Sequence, residues 1–317
     1  MKTSLLPQRY PVGIDIGSSA IKAVAIDTQS KPPCIAGYAI EPQPTPRGEQ
    51  TTDRCPLSQA IQAAVARTTK RPGVIAAAIP ASVVLTRELS LPSRLDTAAI
   101  AARVQLAVHD ELHQPTDALR YDFRPIDRIN PSQANTPIQL LACRRDEIEQ
   151  RLSLLKTAKL SCDVIDIDAH AIARAAITAS APKPNEPPIA LLDAGQAALH
   201  CSILHGDQLI HSQDHDWLAV TDHDEQLMTI HRALALYQSR PESQSLGGIQ
   251  LTGGQADALG EQRISAHCGL RVQTINPLPQ LGTSEQVDPI AIQRDLPRLL
   301  TGLGLALHAG DQHAHWR

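Results

Sequence analysis

A carboxylate and an ammonium group, Asp15 and Lys22, flank a small turn in the stretch Val12–Ile26, VGIDIGSSAIKAVAI. Apolar residues alternate before the turn and form a run after it, which predicts the two strands of a β-hairpin. The turn consists of small residues, Gly17, Ser18 and Ser19. With both serines at the tip, Asp15 stands directly opposite Lys22, where opposite charges interact. Such a hairpin could hold a phosphate on its turn N–H groups and its lysine, and a hydrated metal ion on its carboxylate.

A second stretch, Ile189–Leu204, repeats this pattern as IALLDAGQAALHCSIL. When Asp15 is aligned with Asp193, Gly17 falls on Gly195. Internal similarity at this distance predicts two related lobes that each begin with the same hairpin. Two such hairpins facing across a cleft would hold a triphosphate and its Mg²⁺ from both sides. A single hairpin of this kind has a simpler interpretation, in which its two charges only pair with each other.

The composition limits the class of protein. The 317 residues are enough for two domains, and 42% hydrophobic and 20% charged residues are typical of a soluble globular chain. Aromatic residues make up 2% and the formal net charge is -4, so neither stacking on bases nor binding to nucleic acid is expected. No signal segment and no run of about eighteen apolar residues occurs, which predicts a cytoplasmic protein without a membrane span.

The six cysteines lack the CxxC spacing of metal and redox sites, and several lie in apolar, strand-like runs. They are expected to be reduced core residues, although their even number is also compatible with secretion.

The elements between the two hairpins divide into a first lobe and a separate module. Apolar periodicity predicts that a strand, a helix and a buried strand follow the first hairpin, at 34–40, 57–69 and 74–79, and complete a βββαβ unit. A different module occupies 84–163, and a strand and a helix at 164–177 return to the first lobe. The segment 180–188, SAPKPNEPP, has four prolines and predicts a linker before the second hairpin.

The second lobe contains two further features of interest. The stretch His211–Asp224 is rich in histidine and aspartate, and because its spacing matches no standard ligand pattern it is interpreted as a solvated loop rather than a metal site. The strand Ile249–Gly254, IQLTGG, ends in a double glycine, where the backbone could approach a ligand closely or simply turn into the next helix. Residues 296–307 predict a closing apolar helix.

The order of these motifs, a GxDxGSSxxK hairpin, a DxG hairpin in a second lobe and an LTGG turn, resembles the actin/Hsp70/sugar-kinase ATPase superfamily. Within it, the segments TRELSLP, LRYDF, LLACRRDEIEQRLSLLKTAKL, VIDIDAHAIARA and LTGLGLALHAG resemble the FtsA-like PilM family of type IV pilus assembly proteins, including its MshI-type relatives. The resemblance runs from about Val12 to Gly310. It implies an α/β, two-lobed actin-like (ribonuclease H-like) ATPase fold with the inserted subdomain that FtsA and PilM share.

The resemblance also implies subdomain boundaries. In chain order these are 1–83 and 164–180 for the first lobe (1A), 84–163 for the inserted subdomain (1C), 181–188 for a linker, 189–220 and 249–317 for the second lobe (2A), and 221–248 for subdomain 2B. Subdomain 2B is expected to be reduced, because HDHDWLA stands where relatives have an aromatic-Gly-Gly segment and the stretch from there to LTGG is short.

Individual residues receive roles by the same resemblance. Asp15 and Asp193 would hold Mg²⁺ through water and form the catalytic set together with Asp168. The phosphates of ATP would lie against residues of both hairpins, namely Gly17, Ser18, Ser19, Lys22, Gly195 and Gln196. The adenosine would lie against the double glycine, Gly253 and Gly254.

Three of these positions depart from the family or have a second interpretation. Asp168 falls where relatives place a Gln or Glu that orients the attacking water, and it could equally be the N-cap of a helix that begins at Ala169. The second hairpin has no Thr or Ser at 196–198, where relatives use a hydroxyl for phosphate. His200, the counterpart of Lys22, is expected to be mostly neutral near pH 7.

The resemblance implies a cytoplasmic, ATP-binding scaffold of type IV or MSHA-type pilus assembly that hydrolyses ATP slowly at most. Its expected partner is the cytoplasmic N-terminal tail of a PilN-like inner-membrane protein, which would hold it at the inner face of the inner membrane; self-association is also conceivable. Two alternatives stay open at this point: an interaction module that keeps the fold without a nucleotide, and a small-molecule kinase of the same superfamily.

Overall fold

The computed structural model describes residues 8–44, 55–93, 95–112, 118–126, 134–217 and 222–315. They form two compact units, Met1–Ala81 with Leu154–Arg317, and Ser82–Ser153. The first unit contains a six-stranded and a five-stranded sheet, and the second unit contains a three-stranded sheet.

The elements before the second hairpin follow in chain order as β1 (Tyr10–Ile16), β2 (Ala20–Asp27), β3 (Cys34–Pro42), α1 (Cys55–Thr68), β4 (Pro72–Ile79), β5 (Val84–Pro92), α2 (Thr97–Leu112), β6 (Leu119–Pro125), β7 (Asn135–Arg144), α3 (Arg145–Thr157), β8 (Val164–Ile167) and α4 (Asp168–Ser180). Those from the second hairpin onward are β9 (Ile189–Ala194), β10 (Ala198–His205), β11 (Gln208–Asp216), α5 (His223–Gln238), β12 (Gly248–Thr252), α6 (Ala256–Leu259), α7 (Glu261–Cys268), β13 (Val272–Thr274), β14 (Gly282–Thr283), α8 (Pro289–Asp295) and α9 (Leu300–His315).

The six-stranded sheet has the strand order β14-β3-β2-β1-β4-β8. Strands β1, β2 and β3 form an antiparallel meander, whereas β4 lies parallel to β1 and β8 parallel to β4. Helix α1 covers this sheet with four buried side chains at helical spacing: Ile61, Ala64, Val65 and Thr68. The predicted βββαβ unit is therefore confirmed.

The five-stranded sheet begins in the same way. Its order is β11-β10-β9-β12-β13, with β9, β10 and β11 antiparallel and β12 parallel to β9. In each sheet the first hairpin strand, β1 or β9, thus lies between its antiparallel partner and the parallel strand that follows the first helix. Helix α5 packs on the second sheet with Leu227, Ile230 and Leu234. In its described part, the segment 221–248 therefore adds a helix to the core of the second sheet.

The last helix, α9, packs against β1, β2 and β4 of the first sheet, although the sequence analysis gave 249–317 to the second lobe. Glycines allow this close approach: a Cβ on Gly13 would lie 2.0 Å from the carbonyl oxygen of Gly302, and one on Gly304 would lie 1.8 Å from that of Ala171. A buried apolar cluster joins α4 and α9 to β2 and β9. Both hairpins consequently rest on one shared core.

The second unit is an antiparallel sheet with the order β5-β7-β6, covered by α2. Val104 and Val108 of this helix are fully buried in the same apolar cluster as residues of β7. The predicted inserted subdomain, 84–163, overlaps this unit, which ends at Ser153. The boundary falls inside α3 because the last turn of that helix buries Leu155 in the core of the first unit.

No helix within the described ranges is both long enough and apolar enough to cross a membrane. Cys34, Cys143, Cys162, Cys201 and Cys268 are free, and Cys143 and Cys201 are buried. This matches the expectation that several cysteines belong to the core.

Candidate functional site

The first hairpin has the register that its sequence predicted. Asp15 pairs with Lys22 across the strands, and the N–H of Gly17 closes the turn on the carbonyl of Ala20 at 3.1 Å. The tip, residues 18–19, is exposed. The ammonium of Lys22 donates to Oδ2 of Asp15 at 2.9 Å, and these side chains are only 15% and 17% exposed. A charge pair largely withdrawn from water thus lies directly beside an exposed turn.

Gly17 is required for this arrangement. A Cβ at that position would lie 2.6 Å from Nζ of Lys22, so any side chain would displace the ammonium or cover it. The glycine leaves the turn backbone open next to a cation, which is the kind of surface that binds phosphate.

The charges of the two hairpins act on each other. Burial lowers the pKa of Lys22, but the carboxylates of Asp15 and Asp193 outweigh that effect and raise it, while Arg298 opposes them. Asp193 lies on the second hairpin. Lys22 and Asp193, which lie on different hairpins, are therefore within electrostatic range of each other.

The second hairpin repeats the register of the first, with His200 opposite Asp193. The N–H of Gly195 closes the turn on the carbonyl of Ala198 at 3.0 Å. The indole N–H of Trp217 donates to the carbonyl of Gly195 at 3.0 Å, and the ring is 2% exposed. A buried tryptophan thereby fixes this turn, a contact that the sequence gave no reason to expect.

His200 is charged, and the expectation that it is mostly neutral was wrong. Its Nδ1 lies 2.6 Å from Oδ1 of Asp214 on β11. Burial lowers the pKa of His200, but the hydrogen bond to Asp214 and the charges of Asp193 and Asp168 raise it to about 9. The second hairpin therefore repeats the carboxylate–cation pair of the first, with an imidazolium in place of the ammonium.

The interpretation of 211–224 as a solvated loop is wrong for its first part, because β11 continues to Asp216 and pairs with β10 along that length. Directly opposed residues of neighbouring strands share a face of the sheet. This pairing places Asp214 on the face of His200. Asp214 was not predicted as a site residue because 211–224 was interpreted as a loop.

Asp168 lies at the start of α4 and bonds to two backbone groups. Its Oδ1 accepts from the N–H of Ala81 at 2.9 Å and of Ala169 at 2.6 Å. The N-cap of α4 is Ile167, so the interpretation of Asp168 as the N-cap was wrong. Burial raises the pKa of Asp168 to about 6, and the positive charge of His200 opposes this rise. The effect of His200 shows that Asp168 is within electrostatic range of the second hairpin.

The pKa of Asp193 is also raised. Burial is the largest cause; the cations His200 and Lys22 oppose it, and the carboxylates Asp15 and Asp214 add to it. A cation bound close to Asp193 would stabilise its ionised form. This property is expected of a carboxylate that holds a hydrated metal ion.

The double glycine lies against the second hairpin. Gly253 has φ +98, and a Cβ on it would lie 2.4 Å from the carbonyl oxygen of Ala194. Its N–H donates to the carbonyl of Pro297 at 2.8 Å, and the N–H of Gln255 donates to that of Ala194 at 2.9 Å. Side chains join the same elements, because Nε2 of Gln255 donates to Oε1 of Gln196 at 2.6 Å. Of the predicted residues, Gly195, Gln196 and Gly253 are thus brought together.

The assembled groups fit a magnesium nucleotide. Lys22 and His200 could supply positive charge for phosphates, and the exposed tip at 18–19 could supply N–H groups. Asp15 and Asp193 are the oxygen donors that a hydrated Mg²⁺ prefers. Every residue named as a phosphate or metal contact lies on one of the two hairpins, and these hairpins interact electrostatically.

A cavity of about 370 Å³ lies beside β3, and none of its lining residues belongs to either hairpin turn. Its lining includes one arginine, Arg67, and two aspartates, Asp288 and Asp295. The hydroxyl of Tyr38 donates to Asp295 at 3.0 Å, and Arg67 pairs with Glu41. With its cation already paired and an excess of carboxylates, this cavity suits a phosphate less well than the hairpins do.

Two sheets with the same βββαβ beginning, each opened by a hairpin that carries a carboxylate and a cation, define an actin-like ATPase fold. Among solved structures, the PilM-PilN type IV pilus biogenesis complex matches with a TM-score of 0.78 and 19% identity, covering 96% of this chain and 99% of that chain. The ethanolamine utilization protein EutJ from Carboxydothermus hydrogenoformans matches with a TM-score of 0.51 and 16% identity, covering 95% and 90%.

The family model described as type IV pilus assembly protein PilM matches residues 13–218 and 223–310. The chain therefore belongs to the PilM family of type IV pilus assembly proteins.

Proposed function

We propose that this protein binds MgATP between its two hairpins and acts as a nucleotide-dependent scaffold of type IV pilus assembly. The observation that carries the proposal is the pairing of Asp15 with Lys22 and of Asp193 with His200, on hairpins close enough for their charges to interact.

The two cations are the phosphate contacts in this proposal. Lys22 exchanges part of its ion pair with Asp15 for the terminal phosphates of ATP, and Asp15 is then available to the water shell of Mg²⁺. His200 keeps its hydrogen bond to Asp214 through Nδ1 and presents Nε2. In this way the imidazolium compensates for the hydroxyl that the second hairpin lacks at 196–198.

The remaining site residues have supporting roles. The backbone N–H groups of Ser18, Ser19 and Gln196 donate to phosphate oxygens. Gly17 and Gly195, whose own N–H groups close the turns, let the phosphates approach the backbone because they carry no side chain. Gly253 and Gly254 receive the adenosine. When bound, Mg²⁺ supplies positive charge that the two carboxylates hold in place.

Slow hydrolysis at most is part of the proposal. Asp168 is proposed to orient the attacking water, but its Oδ1 already accepts two backbone hydrogen bonds. Only Oδ2 is left for that purpose, on a side chain shorter than Glu or Gln. Efficient turnover requires a positioned water and donors that stabilise the charge of the transition state. Here the water is poorly positioned, and the second hairpin lacks a hydroxyl donor.

The proposed partner is the cytoplasmic N-terminal tail of a PilN-like inner-membrane protein. Support comes from the family match and from the similarity to a structure described as a PilM-PilN complex. The protein would act at the cytoplasmic face of the inner membrane through this partner. The proposed effect of ATP is to change the affinity for the tail, because a ligand with different affinity for two conformations shifts their populations.

Calorimetric titration with MgATP tests nucleotide binding. Lys22→Ala should weaken affinity about ten- to hundredfold, the effect of losing a charge-assisted contact of about 1.5–3 kcal/mol. Lys70→Ala, which removes an exposed lysine from the loop before β4, is the matched control and should bind like the wild type. Full affinity in Lys22→Ala, measured on protein with unchanged circular dichroism, would refute the assignment.

An interaction module without a nucleotide is the second candidate. The observation that favours it is the 2.9 Å Asp15–Lys22 pair, in which the principal cation is already neutralised. Titrating the full-length protein with a synthetic tail peptide, with and without MgATP, separates the two functions. A module without a nucleotide should bind the tail peptide with the same affinity under both conditions. A nucleotide-dependent scaffold should bind it with different affinities in the presence and absence of MgATP.

A further inference from the structure

Arg298 is a permanent cation on a short turn between α8 and α9. The carbonyl of Pro297 fastens this turn to the end of β12, since it accepts from the N–H of Gly253 at 2.8 Å and from the hydroxyl of Thr252 at 2.7 Å. Leu296, at the start of the turn, is buried. The backbone of Arg298 is therefore held in a fixed position relative to the double glycine.

The side chain of Arg298 lies near the double glycine, and its charge affects Lys22 of the first hairpin. Its Cγ is 4.0 Å from the position that a Cβ would take on Gly254. Its charge also acts on the ammonium of Lys22, adding to the effect of burial and opposing that of the nearby carboxylates. Since such an effect decreases with distance, the charge of Arg298 is within electrostatic range of the first hairpin.

In the part of the chain that the structure describes, Arg298 forms no ion pair and no hydrogen bond through its side chain. Other arginines do pair with carboxylates, for example Arg174 with Asp166 and Arg263 with Asp224. The side chain of Arg298 is exposed. A guanidinium without a counter-ion offers five donors in a planar fork, a geometry that matches phosphate.

We propose that Arg298 binds the phosphate of ATP that is nearest to the nucleoside, as a third cation of the site. This inference rests on the proposed nucleotide binding and extends it to a residue outside both hairpins. The double glycine is the proposed adenosine contact, and Lys22 is the proposed contact of the terminal phosphates. A cation located between Gly254 and Lys22 is placed for the phosphate between those two ends.

The test compares three ligands on the full-length protein by calorimetry: MgATP, MgADP and adenosine. Arg298→Gln should weaken both nucleotides by a similar factor, about ten- to hundredfold, because both contain the phosphate next to the nucleoside. Adenosine affinity should not change. The control is Arg271→Gln, which removes an exposed arginine near the start of β12, whereas Arg298 lies at its end.

Each outcome of this test is informative. Wild-type affinity for MgATP in Arg298→Gln would overturn the role of Arg298 while leaving the proposed nucleotide site intact. An equal loss for adenosine would also overturn it, because the arginine would then contact the nucleoside. A wild-type protein that binds neither nucleotide would overturn the proposed function itself, and the role of Arg298 with it.

Discussion

Replacing Gly253 by alanine should destabilise the protein strongly, whereas the same change at Gly254 should not. Gly253 has φ +98, a conformation that costs an L-residue about 1–3 kcal/mol. The added Cβ would also lie 2.4 Å from the carbonyl oxygen of Ala194 and 2.5 Å from its carbonyl carbon. Overpacking of this kind costs about 1–3 kcal/mol, so the two effects together predict a loss of about 2–6 kcal/mol.

Gly254→Ala is a stringent control, because it changes the next residue by the same single carbon. Its nearest contact would be Cγ of Arg298 at 4.0 Å, an ordinary van der Waals distance. Gly254 is not among the residues with positive φ. Its stability should stay within about 1 kcal/mol of the wild type, since alanine also restricts the unfolded chain.

Urea titrations followed by circular dichroism measure both variants. The midpoint for Gly253→Ala should fall clearly below those of the wild type and Gly254→Ala. Because the clash displaces Ala194, next to Asp193, MgATP affinity should fall as well under conditions in which the variant is folded. Equal stability of the two variants would refute the packing of the double glycine against the second hairpin.

Four more expectations concern His200, Asp168, the rate of ATP turnover and the second unit. The pKa of His200 is raised from 6.5 to about 9. Its charged form should therefore add about 3 kcal/mol to the free energy of unfolding below pH 6.5, and this contribution should be lost as the pH rises through 9. In urea titrations, the difference in the free energy of unfolding between the wild type and His200→Gln should decrease between pH 6.5 and 9. Asp168→Ala should leave MgATP affinity nearly unchanged in calorimetry, and phosphate-release assays of the wild type should give less than about one turnover per minute. Replacing residues 82–153 by a short linker should abolish binding of the PilN-like tail in pull-downs while MgATP binding is retained.

Specific results would contradict these expectations. A pH-independent difference for His200→Gln, or for the partner variant Asp214→Asn, would mean that the histidine is not charged in the folded protein. Turnover well above about one per minute would mean that Asp168 positions water effectively. Tail binding without residues 82–153 would move the partner site to the other unit.

The first hairpin could be predicted because the information that specifies it is local. Small residues occur together only at its tip, so the position of the turn could be predicted. Counting outward from the turn then gives the residues that face each other on the two strands. That count gives Asp15 opposite Lys22, as in the structure. The second hairpin followed from its similarity to the first, and there too the count is right, with His200 opposite Asp193.

The partner of His200 could not be predicted, because a bulge decides it. From the turn that joins β10 to β11, His205 faces Gln208, and counting outward would place Gln213 opposite His200. The register shifts between Ile203 and Leu204, and Asp214 takes that place. A single extra residue thus exchanges an amide for a carboxylate and makes the histidine a cation.

The positions of α9 and Arg298 also depend on tertiary contacts. Apolar periodicity predicts a closing helix but gives no information about which sheet it covers. The answer lies in the contact between Gly13 and Gly302, which are almost a whole chain apart in sequence. Arg298 likewise reaches the site only because Pro297 bonds to Gly253.

The most direct test of MgATP binding between the hairpins is a crystal structure of the protein with saturating Mg²⁺ and a non-hydrolysable ATP analogue. We expect phosphates between the turn at Gly17–Lys22 and the turn at Gly195–His200, with Mg²⁺ on the side of Asp15 and Asp193. A nucleotide bound in the cavity beside β3, or no bound nucleotide at all, would contradict it.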